Sequence, residues 1–570
     1  MFAIPASAPA SQTGGGIRHV DFDPVTRVAG GLAMHAVIDL DANEVREASS
    51  QATLFRGYEV ILQGRDLRDA IFISSRACGV CGSAHSTASA LCLEMAFGIQ
   101  PPPMGITVRN MLVALESLAD NPTHLFTRAG PDYSEPIVRQ TNPEIWTRAE
   151  QTPAPGVAFH GYERIGDIMT ALTRFSGELY EESLQMSRLA RESFVFTGGK
   201  YPHPQTIAPG GLSSTLDPTQ MNLSWLRIVE FIDYSLKVVA VWDDLVDFFY
   251  EADPRFREVG TGPKNFLDLG AWDDPLVYDG TYQNSPLWGE QRWSTPGAIV
   301  DGQLRTTNLQ QINIGIEEFV DRSFYADWTG GGAPRYPTDP VGNALSPYHP
   351  WNKRTIPEPS AVDWQRKYSW ATAARWDRKP METGAYARLW ATALANKLPH
   401  RRFLEPTGHS LKMAMPQSTF PETVLEWHAP ENWGALERNR ARAYALAHAT
   451  LVAYESALNT YDFKRKGGPD AKVFTHYEIP KDSRAGAGLW GGARGYVSHH
   501  MTMDKRVIEN YEILGPSTFT ASPADPFGNR GPMEEAVAGT PLLSTAEPER
   551  YVDVLRAIRS FDPCLTCTTH

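Results

Sequence analysis

Three long stretches of the chain carry apolar residues at helical spacing: Tyr162–Phe194, Leu223–Tyr250 and Trp433–Phe463. In the last two, apolar residues recur every three or four positions and therefore share one helix face. They are Trp225, Ile228, Val229, Ile232, Leu236 and Val239 in one stretch, and Tyr444, Ala447, Leu451, Tyr454 and Leu458 in the other. A shorter segment, Ser86–Phe97, is also helix-like and rich in small residues. Long helices with small and aromatic residues on several sides predict a buried bundle.

Strands are predicted around this bundle. Residues 17–60 alternate in short apolar runs, which indicates a strand-rich entry, and roughly Pro254–Pro359 is rich in Gly, Pro, Trp and Asp. We therefore expect an α+β fold that is mainly α, with a central buried helix bundle, peripheral short strands and long irregular segments. No linker or repeat divides the chain, so residues 17–570 are predicted to form one compact domain after a flexible tail over 1–16.

Charge and composition exclude two classes of protein. A formal net charge of −13 argues against a nucleic-acid-binding protein, which needs a basic face. No apolar run approaches the roughly 20 residues that cross a bilayer, so no membrane span is expected in this chain.

The N-terminus also lacks the basic and apolar regions of a secretory signal. These features favour a cytoplasmic protein, or one that reaches a membrane through partners. The periplasmic side stays open because a subunit can be exported on a partner's signal.

Four of the five cysteines form two Cys-x-x-Cys pairs, in "RACGVCGSAH" (Arg76–His85) and in "DPCLTCTTH" (Asp562–His570). Three interpretations are open: a structural zinc site, a thioredoxin-like dithiol, or a redox-active transition-metal site. The pairs lie 486 positions apart, whereas zinc pairs are usually separated by about 15–20 residues. Four thiolates from opposite chain ends can converge only if the fold is built around them. Soft thiolates suit nickel, iron, copper(I) or zinc, and one sulfur of each pair could bridge two metals.

These two motifs resemble the paired signatures of the large subunit of nickel–iron hydrogenases. Further matches follow in the order of that family, so the resemblance covers nearly the whole chain. They are "FRGYEVILQGRDLRDA" (Phe55–Ala70), "GGKYPHPQTIAPGG" (Gly198–Gly211), "ARG" (Ala493–Gly495) and "GPST" (Gly515–Thr518). The resemblance implies the fold of that family and a catalytic subunit that oxidises H2 heterolytically to protons and electrons.

The resemblance also implies the ligands of a nickel–iron centre whose iron carries carbonyl and cyanide. All four paired cysteines would bind nickel, and the second of each pair would bridge to iron; they are Cys78, Cys81, Cys564 and Cys567. The remaining cysteine, Cys92, matches no ligand and reads as a small buried apolar residue.

Other residues match the surroundings of this centre by the same resemblance. Mg2+ would be bound by Glu59, the carbonyl of Ile513 and His570. Without the resemblance, Glu59 would be interpreted as a solvated charge on a helix or strand. Arg494 and Ser517 would donate to the two cyanides, because buried anionic acceptors need donors. The flanking carboxylates and the first base are also implied; they are Asp120, Asp562 and Cys564. An ordinary surface or capping aspartate is the alternative for each carboxylate.

A partner subunit is implied because Cys92 is the only other cysteine, too few for an iron–sulfur electron wire. We expect an iron–sulfur small subunit, in a heterodimer or a dimer of heterodimers, with H2 as substrate. Two alternatives stay open. One is a non-catalytic, hydrogenase-like subunit of a respiratory complex, disfavoured because those relatives have lost the cysteines, and the other is a zinc-stabilised scaffold.

The chain departs from the family near its N-terminus. In "RVAGG" (Arg27–Gly31), Ala29 stands where relatives carry a glutamate that takes the proton away. Alanine cannot relay a proton, so this chain needs another exit or an ordered water there. The departure points to an outlying branch, the actinobacterial-type hydrogenases associated with dilute hydrogen. The resemblance also implies that a C-terminal extension is cut after His570, although a truncated sequence would look the same.

Overall fold

The computed structural model describes residues 16–330, 333–398, 401–544 and 551–569. The fold is α+β. Its α-helices are α1 Tyr58–Leu62, α2 Ala70–Ser75, α3 Gly82–Phe97, α4 Pro103–Thr123, α5 Glu135–Thr141, α6 Pro143–Ala149, α7 Val157–His160, α8 Ile165–Ala171, α9 Glu178–Gly198, α10 Pro218–Ala252, α11 Ser285–Glu290, α12 Leu309–Ile314, α13 Ala385–Ala395, α14 Ala435–Lys466, α15 Pro516–Thr520, α16 Pro532–Val537 and α17 Val552–Ser560.

The strands form small antiparallel sheets, in the orders β1-β2-β3, β4-β5, β6-β7-β8, β9-β10, β11-β12-β13 and β14-β15-β16. Their bounds are β1 Ile17–Phe22, β2 Leu32–Asp39, β3 Glu44–Ala52, β4 Ile207–Ala208, β5 Gly211–Leu212, β6 Phe266–Asp268, β7 Gly297–Val300, β8 Gln303–Thr306, β9 Ile316–Phe319, β10 Ala373–Trp376, β11 Leu404–Pro406, β12 Ser410–Met415, β13 Thr423–His428, β14 Arg484–Gly492, β15 Gly495–Asp504 and β16 Val507–Leu514.

The long helices α4, α9, α10 and α14 pack against one another at the centre of the molecule. The predicted helix Leu223–Tyr250 lies inside α10, and the prediction over Trp433–Phe463 corresponds to α14. Helix α4 was not predicted. It is buried on every side from Met104 to Pro122 and carries buried polar residues among the apolar ones, so its sequence shows no single apolar stripe.

The stretch Tyr162–Phe194, which has helical spacing, contains parts of two helices with a break between them. The chain forms α8, leaves helical geometry, and begins α9 at Glu178. Phe175 adopts the left-handed region with φ of +70°. At Gly177 the backbone passes so close to the carbonyl of Ala171 that a Cβ would lie 2.2 Å from that oxygen. The break is therefore built into the tight turn between the two helices.

Helix α3 lies directly against strand β14 without an intervening layer of side chains. A Cβ on Gly486 would lie 2.2 Å from the carbonyl oxygen of Cys92, and one on Gly488 would lie 1.7 Å from that of Ala88. Only glycine permits such a close approach of helix and strand backbones. This contact fixes the distance of α3 from β14. It therefore also helps to position Cys81, which immediately precedes α3.

The chain termini join a second, smaller core. Apolar residues of β1–β3 pack there against α16 and α17, and α17 leads directly into the last cysteine pair. No helix within the described ranges has both the length and the apolar character to cross a membrane. Of the predicted tail, residues 1–15 lie outside the described residues, and the single domain over 17–570 stays a prediction.

Replacing Gly488 by Ala tests the backbone contact. The added methyl group must displace α3 or β14, so we expect the free energy of unfolding to fall by about 1–3 kcal/mol. Gly262→Ala is the matched control, because a Cβ there has only ordinary contacts of 3.4 Å or more. Urea unfolding followed by circular dichroism measures both. Equal stability of the two variants would contradict the direct packing of α3 on β14.

Candidate metal centre

The four paired cysteines meet at one buried point. Cys78 and Cys81 lie between α2 and α3, and Cys564 and Cys567 lie just after α17. The sulfur–sulfur distances are 2.8 Å within each pair, 2.9 Å between Cys81 and Cys567, and 3.4 Å between Cys78 and Cys564. All four sulfurs lie within 4.8 Å of one another, and each residue is at most 1% exposed. Soft, buried donors in this arrangement can hold a transition metal.

Ionisation of these thiols depends on their surroundings. Burial raises the pKa of Cys81 and Cys567, because a thiolate loses hydration there. Burial also opposes ionisation of Cys564, but hydrogen bonds from the neighbouring thiols and the charge of Arg494 lower the pKa of that thiol well below its usual value. The site therefore favours a thiolate at Cys564, because the positive charge of Arg494 acts on that sulfur.

Arg494 is held beside the sulfur cluster by two carboxylates. It lies in the turn between β14 and β15. Its Nε donates to Oδ2 of Asp120 at 2.7 Å and its Nη2 to Oδ1 at 2.9 Å, a bidentate pair. Its Nε also lies 3.2 Å from Oδ2 of Asp562. Burial would lower the pKa of Arg494, but the two carboxylates raise it well above the usual value, so the side chain is a permanent cation.

Asp562 also contacts three residues that the sequence analysis did not identify. Its Oδ1 lies 3.0 Å from Nδ1 of His124 and 3.2 Å from Nη1 of Arg128, and its Oδ2 lies 3.4 Å from Nη1 of Arg442. His124 and Arg128 follow Asp120 by four and eight positions, a spacing that places all three on one helix face and could have identified them. Nothing in the sequence around Arg442 marks it.

The charges of this network do not cancel. Burial lowers the pKa of His124 to about 4, although the negative charge of Asp562 acts to raise it. The imidazole ring of His124 is therefore neutral at pH 7. Three buried or nearly buried arginines then face two aspartates. The excess of positive charge lies next to the sulfurs and complements a cluster of thiolates, which is anionic.

Ser517 and Ala29 both contact the backbone around Cys564. The hydroxyl oxygen of Ser517 accepts the N–H of Cys564 at 2.8 Å, so its own proton is free to be donated elsewhere. The N–H of Ala29 donates to the carbonyl of Pro563 at 3.1 Å, and its carbonyl accepts from Leu565 at 2.7 Å. The structure thus places Ala29 beside Cys564, with only a methyl group as side chain.

A second cluster contains the predicted magnesium ligand Glu59. This residue is 2% exposed and interacts electrostatically with Lys353 and Glu512. Nζ of Lys353 lies 2.9 Å from Oε2 of Glu318 and 3.3 Å from Oε2 of Glu512. Ile513 follows Glu512 in β16, and His570 lies outside the described residues. Burial raises the pKa of Glu512 to about 7, although the charge of Lys353 opposes this.

Arg56 links the two chain ends at the edge of the sulfur cluster. Its guanidinium donates to the carbonyl oxygens of Ala77 and Arg76 on one side, and to those of Thr566 and Thr569 on the other. Exposed apolar residues lie in the same part of the chain, in and around α1 and α2. They are Leu54 (55% exposed), Val60 (44%), Ile61 (43%) and Phe72 (45%), and we call them the α1–α2 apolar patch.

Comparison with known proteins gives a consistent picture. The family model described as nickel-dependent hydrogenase matches residues 56–149 and 174–570. The quinone-reactive Ni/Fe-hydrogenase large chain of Wolinella succinogenes is 28% identical, over 97% of this chain and 96% of the relative. The periplasmic NiFeSe hydrogenase large subunit of Desulfomicrobium baculatum is also 28% identical, over 99% of this chain and 96% of the relative.

Solved structures agree with these matches. The actinobacterial-type NiFe-hydrogenase from Ralstonia eutropha H16 superposes with a TM-score of 0.93 at 38% identity, over 97% of this chain and 100% of that chain. The H2-activated NiFeSe-hydrogenase of Dm. baculatum superposes with a TM-score of 0.73 at 25% identity, over 97% of this chain and 100% of that chain. The similarity to an actinobacterial-type enzyme agrees with the expectation from the sequence.

Removing one sulfur tests the metal centre. We expect Cys567→Ala to lose most of its bound transition metal, because three thiolates cannot complete the site. Cys92→Ala is the matched control: Cys92 is equally buried but is not part of the four-cysteine cluster, and we expect it to keep the metal. Elemental analysis of purified protein measures nickel, iron and zinc per chain. Equal metal content in the two variants would exclude the four-cysteine site.

Proposed function

Because this chain belongs to the nickel-dependent hydrogenase family, we propose that it is the large, catalytic subunit of an enzyme that oxidises H2. The observation that carries the proposal is the convergence of four cysteine sulfurs from opposite chain ends beside Arg494. The reaction splits H2 heterolytically and yields two protons and two electrons, and the electrons leave through an iron–sulfur partner.

The donor set fits a nickel–iron centre. Cys78, Cys81, Cys564 and Cys567 would hold the nickel, and Cys81 and Cys567 would also hold the iron. Thiolates suit these soft metals, and the surplus of buried arginine charge offsets the anionic sulfurs. When bound, the metals supply Lewis acidity that weakens the H–H bond. The polypeptide holds the sulfurs in place, keeps water out of the pocket and provides groups for the proton.

The polar residues around the sulfurs have distinct roles in this proposal. Asp120 accepts from two nitrogens of Arg494, while within the described residues Nη1 donates to the carbonyl of Pro563 at 3.4 Å and would also be able to donate to a cyanide ligand. The hydroxyl of Ser517 would donate to the other cyanide. Cys564 is the proposed first base, because the charge of the neighbouring Arg494 favours the deprotonated sulfur that a proton acceptor requires. Asp562 fixes the guanidinium from its second side.

Magnesium is the proposed occupant of the cluster around Glu59. Among the described residues, the buried carboxyl groups of Glu59, Glu318 and Glu512 lie around one ammonium group, that of Lys353. Such a cluster of oxygen donors suits a cation, and Mg2+ prefers oxygen ligands. We propose Glu59, the carbonyl of Ile513 and His570 as its protein ligands. The neighbouring Glu318 and Glu512 supply negative charge around them.

The partner is proposed to be a small subunit that carries iron–sulfur clusters, in a heterodimer or a dimer of heterodimers. With four cysteines used at the metal centre, only Cys92 is left, so this chain cannot bind a relay of clusters. Leu54 and Phe72 of the α1–α2 apolar patch precede Arg56 and Cys78 by two and six positions, and we place the partner on this patch, near the cysteine cluster. Association through this partner would decide whether the enzyme works in the cytoplasm, at a membrane or on the periplasmic side.

Infrared spectra and hydrogen uptake of the purified heterodimer test the catalytic proposal. We expect bands of metal-bound carbonyl and cyanide. In Arg494→Lys the cyanide bands shift and hydrogen uptake falls about 10²–10³-fold, because a planar donor beside the centre is lost. The exposed Arg335→Lys is the matched control and keeps native spectra and activity. Stoichiometric zinc without such bands would instead support a zinc-stabilised scaffold.

Introducing a charge into the α1–α2 apolar patch tests the partner's position. We expect Phe72→Asp to weaken binding of the iron–sulfur subunit at least about 30-fold, equivalent to about 2 kcal/mol, because a carboxylate would be desolvated in the interface. Leu226→Asp on α10, where the native side chain is 61% exposed, is the control and should bind normally. Biolayer interferometry with the separate partner measures both. Unchanged affinity of Phe72→Asp would place the interface elsewhere.

A further inference from the structure

Thr566 contacts both cysteine pairs at once. It lies between Cys564 and Cys567 in the short turn after α17 and is partly exposed. Its hydroxyl oxygen lies 3.5 Å from Sγ of Cys564, where either group can be the donor, and 3.7 Å from Sγ of Cys78, to which the hydroxyl can donate. These two sulfurs belong to the first cysteine of each pair, the ones proposed above to bind nickel alone.

The two sulfurs differ in the other hydrogen bonds they accept. Sγ of Cys78 accepts the backbone N–H groups of Val80 at 3.3 Å and Cys81 at 3.1 Å. Within the described part of the chain, no backbone N–H donates to Sγ of Cys564, and Thr566 is the only residue other than cysteine that forms a hydrogen bond with it. A hydrogen bond from Thr566 therefore changes the surroundings of the Cys564 sulfur more than those of the Cys78 sulfur, which already accepts two backbone N–H groups.

The position of Thr566 is fixed by its neighbours. Its carbonyl accepts from Nη2 of Arg56. Its amide nitrogen lies 2.8 Å from the place of a Cβ on Gly30, which has φ of +91°, so the chain beside Ala29 approaches it closely. Ala29 pairs with the backbone on either side of Cys564 but carries no polar group. The side chain at position 29 therefore offers no hydrogen-bond donor to the sulfur.

We propose that Thr566 is a positioning residue that donates its hydroxyl proton to the thiolate of Cys564 and lies within reach of Cys78. A hydrogen bond to a charged acceptor is stronger than a neutral one, so this contact tightens when the sulfur is a thiolate. Hydrogen bonds to metal-binding sulfurs withdraw electron density from them and raise the reduction potential of the centre. This inference rests on the proposed nickel–iron function.

Infrared spectroscopy of the heterodimer measures the effect directly, because the carbonyl on iron reports electron density at the metals. We expect Thr566→Val, which keeps the side-chain shape, to lower the carbonyl stretching frequency and the midpoint potential in an infrared-monitored redox titration. Thr566→Ser retains the hydroxyl and should return both towards native values. Thr566→Ala loses the hydroxyl without any steric demand, so it gives the same test if the valine variant does not assemble.

Thr568→Val is the matched control. The hydroxyl of Thr568 donates to the carbonyl oxygen of Cys564 at 3.2 Å and not to its sulfur, so the frequency should stay native. With nickel and iron present in every variant, an unchanged frequency in both Thr566→Val and Thr566→Ala would overturn the role of Thr566 and leave the proposed function intact. An equal shift in Thr568→Val would overturn it too, since packing alone would then explain the effect. A native protein without nickel would overturn both proposals.

Discussion

The meeting of two cysteine pairs from opposite ends of the chain is the constraint on which the rest of the structure depends. Four sulfurs within 4.8 Å of one another repel one another once ionised, and they are cut off from water. The surrounding chain must therefore hold them in place and balance their charge. The glycine-mediated contact of α3 with β14 serves the first need, and the network of arginines and aspartates serves the second.

The network around Asp562 shows how much of a metal centre lies beyond its ligands. This carboxylate contacts Arg494, Arg128 and Arg442. Arg128 lies in the helical segment His124–Ala129 that follows α4, and Arg442 lies in α14. Helix α4 thus contributes Asp120, and helix α14 contributes Arg442, to the same small volume. This arrangement explains why such polar side chains are tolerated between packed helices, where an isolated charge would be strongly destabilising.

The sequence predicted the parts of the structure that leave a local pattern. Helices α10 and α14 have periodic apolar faces, and the cysteine pairs have a fixed spacing, so both could be recognised. Helix α4 could not, because its burial on all sides removes the contrast between faces. The break at Phe175 depends on a close backbone approach at Gly177, and the contact of Arg442 with Asp562 joins distant segments. Such features arise from tertiary packing, which single-residue preferences do not encode. The roles of the individual site residues stay predictions that the geometry supports.

Within the described residues, the hydrogen bonds of Arg56 to the two cysteine loops all go to main-chain oxygens, and its guanidinium also lies over the ring of Tyr58. The backbone carbonyl group is the same in every residue type. These hydrogen bonds of Arg56 therefore do not depend on which side chains the two loops carry. Residues in those loops can consequently diverge between related enzymes while the loops stay together. Substitutions of loop side chains could therefore change the redox chemistry of the metals while the hydrogen bonds of Arg56 still hold the two cysteine loops together.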